Sequence, residues 1–119
     1  MNEDTTNLVM IWENIHTSDS KFEEFAQKRH DGAEKIAKNA KEKGGPAMLT
    51  YHHFIVKLPY YKKAAAGKFN IDDAKKELKK LTEQLNDAVD GKVKFEQTDF
   101  QKKVGLIEVL GELIIKLQS

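Results

Sequence analysis

Cysteine is absent from this chain of 119 residues. No disulfide framework can brace the fold, and no thiolate can serve as nucleophile or metal ligand. Proline occurs twice and glycine seven times, too sparsely for a low-complexity or disordered chain. No apolar run reaches the roughly 18–20 residues that span a bilayer, so no membrane partner is expected. The opening residues, MNEDTTN, are acidic and lack the basic stretch and apolar run of a secretory signal. With the missing cysteines, this points to a cytoplasmic protein. Arginine is nearly absent too: Arg29 stands alone against nineteen lysines. No glycine-rich phosphate loop, dinucleotide fingerprint or nucleophile elbow occurs. The expectation is a protein with no catalytic activity and no cofactor.

What is present is charge, distributed unevenly. The net value of +1 conceals an acidic start, with Glu3, Asp4, Glu13 and Asp19 and no base before Lys21. Residues 44–56 carry no charge, residues 57–80 hold eight lysines against three acids, and residues 81–101 turn acidic again. Such asymmetry bears on partners rather than on fold.

The length suits a single domain over 1–119. Thr6 to His16 reads as a short helix or extended arm, with Leu8, Ile11, Trp12 and Ile15 on one side. Lys21 to Lys43 reads as a long helix lined by Phe22, Phe25, Ala26, Arg29, Ala33, Ile36, Ala37 and Ala40, stopped by Gly44-Gly45-Pro46. Ala47 to Leu58 is apolar on nearly every side and is expected to be the most buried helix. Pro59 kinks it or opens another, Tyr60 to Ala66, ended by Gly67. From Ile71 to Val89 an apolar stripe of Ile71, Ala74, Leu78, Leu81, Leu85 and Ala88 recurs at steps of three and four. Asn70 caps that helix, Asp72 and Asp73 suit its first turn, and Lys75, Lys76, Lys79 and Lys80 point away from the stripe.

The tail admits two readings. Lys92 to Gln97 alternates like a strand. Val104 to Leu117 holds nine aliphatic residues. Its Val and Ile content and Gly105 and Gly111 favour a strand, whereas a helix aligns Glu108, Glu112 and Lys116 in one i, i+4 row.

The order helix, short helix, Gly67 turn, capped helix, strand, polar loop Thr98 to Lys103 and second strand resembles a winged helix over residues 46–110. AAAGKFNIDDAKKELKKL resembles a helix-turn-helix, and GLIEVLGELIIKL is similar to a closing hairpin strand. The resemblance implies a mainly helical fold with a three-helix core and a small C-terminal β-hairpin over 46–119, preceded by a helical extension over 1–45. It implies that helix 71–89 enters a DNA groove while Lys102 and Lys103 tip the wing. Lys62, Lys63, Lys68, Lys75, Lys76, Lys79 and Lys80 would then neutralise phosphates of a nucleic acid, DNA rather than RNA. With a single arginine, specificity should be modest, because arginine makes the commonest guanine contact. Tyr60 and Tyr61 suit base stacking or partly buried anchoring. The rival is an all-α five-helix bundle whose lysines merely solvate a helix face, an interaction or structural module. A hairpin pairing 92–97 with 104–110 favours the first reading; one helix over 99–118 makes it fail as stated, as a winged helix.

Three further candidates are weaker. Glu13-x-x-His16 has di-metal spacing and His30-x-x-x-Glu34 sets two ligand types one turn apart, but no second E-x-x-H completes a bundle site. Thr50, Tyr51, His52 and His53 form the one polar cluster of the uncharged stretch, without an evident nucleophile or orienting carboxylate. Val104 to Leu117 is apolar on more than one side and offers a homodimer surface, or else packs in its own core.

Overall fold

The computed structural model describes residues 9–10, 21–92, 94 and 96–118. Among these are five helices: α1 (Phe22–Lys43), α2 (Ala47–Ile55), α3 (Leu58–Ala65), α4 (Ile71–Val89) and α5 (Gln97–Gln118). The expected arm at 6–16 lies outside the described residues apart from Val9 and Met10. Both are helical, and Val9 packs against the core.

Helix boundaries follow local chemistry. Gly44 and Gly45 both take positive φ, 64° and 55°. Two consecutive residues in that region stop α1 and turn the chain into α2, a path that side chains with a Cβ would resist. Pro59 sits in the first turn of α3, where its missing N–H leaves no helical bond unmade. It therefore starts a new helix after a break at Val56–Lys57 rather than kinking α2. Asn70 caps α4, its side chain accepting from the Asp73 N–H at 3.0 Å. That cap and both ends of α4 agree with the sequence reading.

The winged-helix core and C-terminal hairpin are overturned. Residues Gln97–Gln118 form one uninterrupted helix, and no strand occurs among the described residues. Lys92, Lys94 and Glu96 precede α5 without strand geometry, while Val93 and Phe95 lie outside the described residues. Packing overrides the β-propensity of the tail, since Gly105, Val109, Leu110, Leu113 and Ile114 recur at helical steps and are all buried. Gly105, which weakens a helix in isolation, is where α5 crosses α2. A Cβ there would collide with the His53 carbonyl oxygen and come within 2.8 Å of Val56 Cγ2.

α1 packs on α2 and α3, while α5 packs on α2 and on α4. One core joins Phe25, Ala33 and Ile36 of α1 to Phe54, Tyr61, Ala74, Leu81, Leu110 and Leu113. The alanines of α1 permit close approach, as their spacing suggests. A second correction concerns α2: only Phe54 is buried, and its remaining residues are half-covered. The molecule is a slab of 43 × 42 × 19 Å, about two helix layers thick, and so thin a slab leaves α2 one open side. No described helix is long and apolar enough to cross a membrane.

Candidate functional site

Two features carry polar chemistry: a ladder of polar side chains between helices, and the lysine-bearing surface of α3 and α4.

The ladder joins two rows, with one residue of α1 added. His53, Lys57 and Tyr61, spaced by four, face Glu108, Glu112 and Lys116 of α5, also spaced by four. His53 Nε2 lies 2.8 Å from Glu108 Oε1, Lys57 Nζ donates to that oxygen at 3.0 Å, and the Tyr61 hydroxyl donates to Glu112 Oε1 at 2.9 Å. From α1, Arg29 Nε approaches Glu112 Oε1 at 3.5 Å, with its guanidinium 5.4 Å from the Phe25 ring centroid. Lys116 Nζ lies over the same ring at 5.5 Å.

Burial sets the electrostatics. Lys57 is only 1% exposed, and burial pulls its ammonium below the ordinary lysine value against the opposing pull of Glu108. Burial also pushes the Glu108 carboxyl upward. The hydrogen bond from His53 and the charge and hydrogen bond of Lys57 outweigh it and hold Glu108 at about 2. Glu108 is therefore ionised and accepts, so His53 Nε2 carries the proton. For Glu112 burial wins, raising its carboxyl despite Arg29 and Tyr61. Burial and the nearby Glu112 likewise raise the Tyr61 phenol, which stays a donor.

This arrangement supplies the orienting carboxylate that the sequence did not reveal for His53, but its bonds tie helices together. Lys57, counted in the sequence among the basic residues of 57–80, is a core cation. The missed members are Arg29, Lys57 and Tyr61; the signal for the last two was the i, i+4, i+8 row from His53, matching that of Glu108, Glu112 and Lys116.

The lysine surface holds the predicted binding residues. Lys62, Lys63, Lys68, Lys75, Lys76, Lys79 and Lys80 are all exposed. None forms an ion pair among the described residues, where the pairs involve Arg29, His30, His53, Lys57 and Lys92. Asp72 and Glu83 bracket the lysines along the outer face of α4 and are exposed too. Lys63 and Lys68 line a groove of about 240 Å³ between α3 and the start of α4, together with Tyr60, Phe69, Asp73 and Glu77. Lys102 and Lys103 belong to α5 and tip no wing. They line a separate hollow of about 340 Å³ beside Val56, Asp99 and Leu106, and Lys103 donates to Gln84 of α4 at 2.8 Å.

No protein family, curated protein or solved structure matches this chain.

The remaining candidates separate. His30 meets Asp31 at 3.2 Å, and the His52 ring packs on Tyr51 with centroids 5.2 Å apart. Among the described residues no three His, Asp or Glu side chains gather as a metal site; Glu13 and His16 lie outside them. Tyr61 is fully buried, whereas Tyr60 lines the groove. The Val104–Leu117 segment turns most of its apolar residues inward and leaves Ile115 and Leu117 exposed.

Proposed function

We propose that this chain is a small, non-enzymatic, helical protein that binds nucleic acid through phosphate contacts, with modest sequence preference. The observation that carries the reading is the lysine surface. Seven lysines of α3, α4 and the turn between them are exposed and form no ion pair among the described residues. Cations of this kind displace the counterions of a polyanion, and affinity gained that way falls steeply with salt. The single arginine supports the modest specificity. Arg29 is engaged with Glu112 and Phe25 inside the molecule, leaving lysine, a point charge without arginine's bidentate fork, to make the contacts.

The test is fluorescence anisotropy with labelled oligonucleotides at about 50 and 200 mM salt. If Lys75, Lys76, Lys79 and Lys80 each neutralise one phosphate, affinity should fall roughly 100-fold over that range. The quadruple Lys→Ala variant should lose most of the affinity and most of the salt slope. Absence of binding at low salt, or binding indifferent to the four substitutions, rejects the proposal.

A second reading, a protein-interaction module that pairs through α5, draws on one observation. Ile115 is 71% exposed and Leu117 41% exposed near the end of that helix. Sedimentation velocity separates the two: this reading requires a dimer that Ile115→Lys with Leu117→Lys dissociates.

A further inference from the structure

The groove between α3 and α4 is built from parts that phosphate contacts alone leave unused. Tyr60 and Phe69 supply aromatic surface, Lys63 and Lys68 two cations, and Asp73 and Glu77 two carboxylates around about 240 Å³. None of these four charged side chains forms an ion pair among the described residues. Opposite charges thus share one hollow without neutralising each other. The complement to such a hollow is a ligand with a flat π face, an anionic group and a separate hydrogen-bond donor.

Phe69 is braced by Phe22, with centroids 5.7 Å apart. Lys63 Nζ lies over the Tyr60 ring, 6.0 Å from its centroid, within cation–π range. The first turn of α4 is not itself the anion site, because the Asp73 N–H is already taken by Asn70.

We propose that this groove takes one unstacked nucleotide of a single-stranded nucleic acid, its base against Tyr60 and Phe69 and its phosphate at Lys63 and Lys68. The exocyclic amino group of the base donates to Glu77. The inference rests on the phosphate-binding reading above and names its substrate class. A duplex keeps its bases stacked and paired, so their faces cannot reach Tyr60; a single strand presents them. A carboxylate accepts from the amino group of cytosine, whereas thymine offers no such group.

The experiment measures anisotropy at low salt and neutral pH with labelled oligodeoxycytidine, oligothymidine and a mixed-sequence duplex. The proteins are the full chain, Tyr60→Leu, Tyr60→Phe, Glu77→Ala and the quadruple lysine variant of α4. The full chain should bind oligodeoxycytidine about 10-fold tighter than duplex, on the scale of one stacked base, and tighter than oligothymidine. Tyr60→Leu should abolish the single-strand preference and leave duplex affinity unchanged, while Tyr60→Phe retains it. Glu77→Ala should bring the two homopolymers to equal affinity. Thermal melts confirm that each variant is folded, and loss of the preference in Tyr60→Leu with retention in Tyr60→Phe separates stacking from damage to the fold. Equal affinity of the full chain for single strand and duplex, or a Tyr60→Leu variant that keeps the preference, overturns the groove while phosphate binding through α4 stands. Failure to bind any oligomer overturns both.

Discussion

Lys57 and Glu108 share one hydrogen bond but not one environment. Lys57 is 1% exposed, Glu108 48%. Removing the carboxylate takes an ionic hydrogen-bond partner from an ammonium in the core; removing the ammonium leaves a carboxylate that water can reach. Breaking a buried pair by deleting one partner costs on the order of 3–5 kcal/mol when the remaining charge stays dry. Glu108→Gln should therefore approach the lower end of that range, and Lys57→Met should cost about 1 kcal/mol or less. Chemical denaturation of both variants checks the asymmetry; equal losses would contradict it. The two glutamates are also shifted in opposite directions. Glu108 is held at about 2, below its unfolded value near 4.5, so its contribution is present above pH 4.5 and lost as pH falls toward 2. Glu112 is raised, so its contribution is present below pH 4.5 and lost as pH climbs through its folded value. Melting temperature against pH should show Glu108→Gln flattening the acid limb and Glu112→Gln removing a gain at mildly acid pH. Two glycines of one helix make a further contrast. Gly105→Ala forces a Cβ against the His53 carbonyl and should destabilise by several kcal/mol, of order 3 as for overpacking. Gly111 has open space around its Cβ position, and Gly111→Ala should stabilise by up to about 1 kcal/mol.

At the scale of elements, α4 is where sequence and structure agree best. Its stripe, cap and acidic first turn are local features, each encoded within a few residues. Asn70→Ala should cost about 1 kcal/mol, read from a thermal melt, with no change in the ladder that ties α5 to α2. α5 is the opposite case. Its Val and Ile content and two glycines favour a strand locally, and what decides for helix is distant: the backbone of His53 opposite Gly105, and partners for Glu108 and Glu112. The i, i+4 row of Glu108, Glu112 and Lys116 was visible as a sign of helix, but not what it would meet. The same holds for Lys57, whose neighbours in sequence are surface lysines, and for Tyr60 and Tyr61. Adjacent tyrosines on a helix diverge by about 100°, and only packing shows which turns inward and which lines the groove. The lysine surface was legible from composition alone, whereas Asp73 and Glu77 gain their place beside Lys63 and Lys68 only when the turn after α3 brings the start of α4 to the same groove.

The whole molecule is a thin plate, with a radius of gyration of 14.8 Å against about 13.5 Å expected for a compact domain of this length. A plate places more of its residues at the surface than a sphere does, which is how a chain with 33% charged residues keeps seven lysines in water while sinking an eighth into the core. The rungs of the polar ladder from His53, Lys57 and Tyr61 join residues 51 or 55 positions apart. Nearly half the chain must therefore be looped before His53, Lys57 and Tyr61 find their partners. That makes the search for the native topology slower than in a bundle whose successive helices simply fold back on one another. It also makes the loop forgiving. Closure entropy grows only with the logarithm of length, about 0.6 kcal/mol per doubling. A short Gly/Ser insertion after Asp90, within the enclosed segment but outside the groove, should leave equilibrium stability within a few tenths of a kcal/mol and be accommodated without disturbing the ladder. Stopped-flow refolding beside equilibrium denaturation would reveal both effects, and they point to the α4–α5 turn as the place where this chain can accept added sequence.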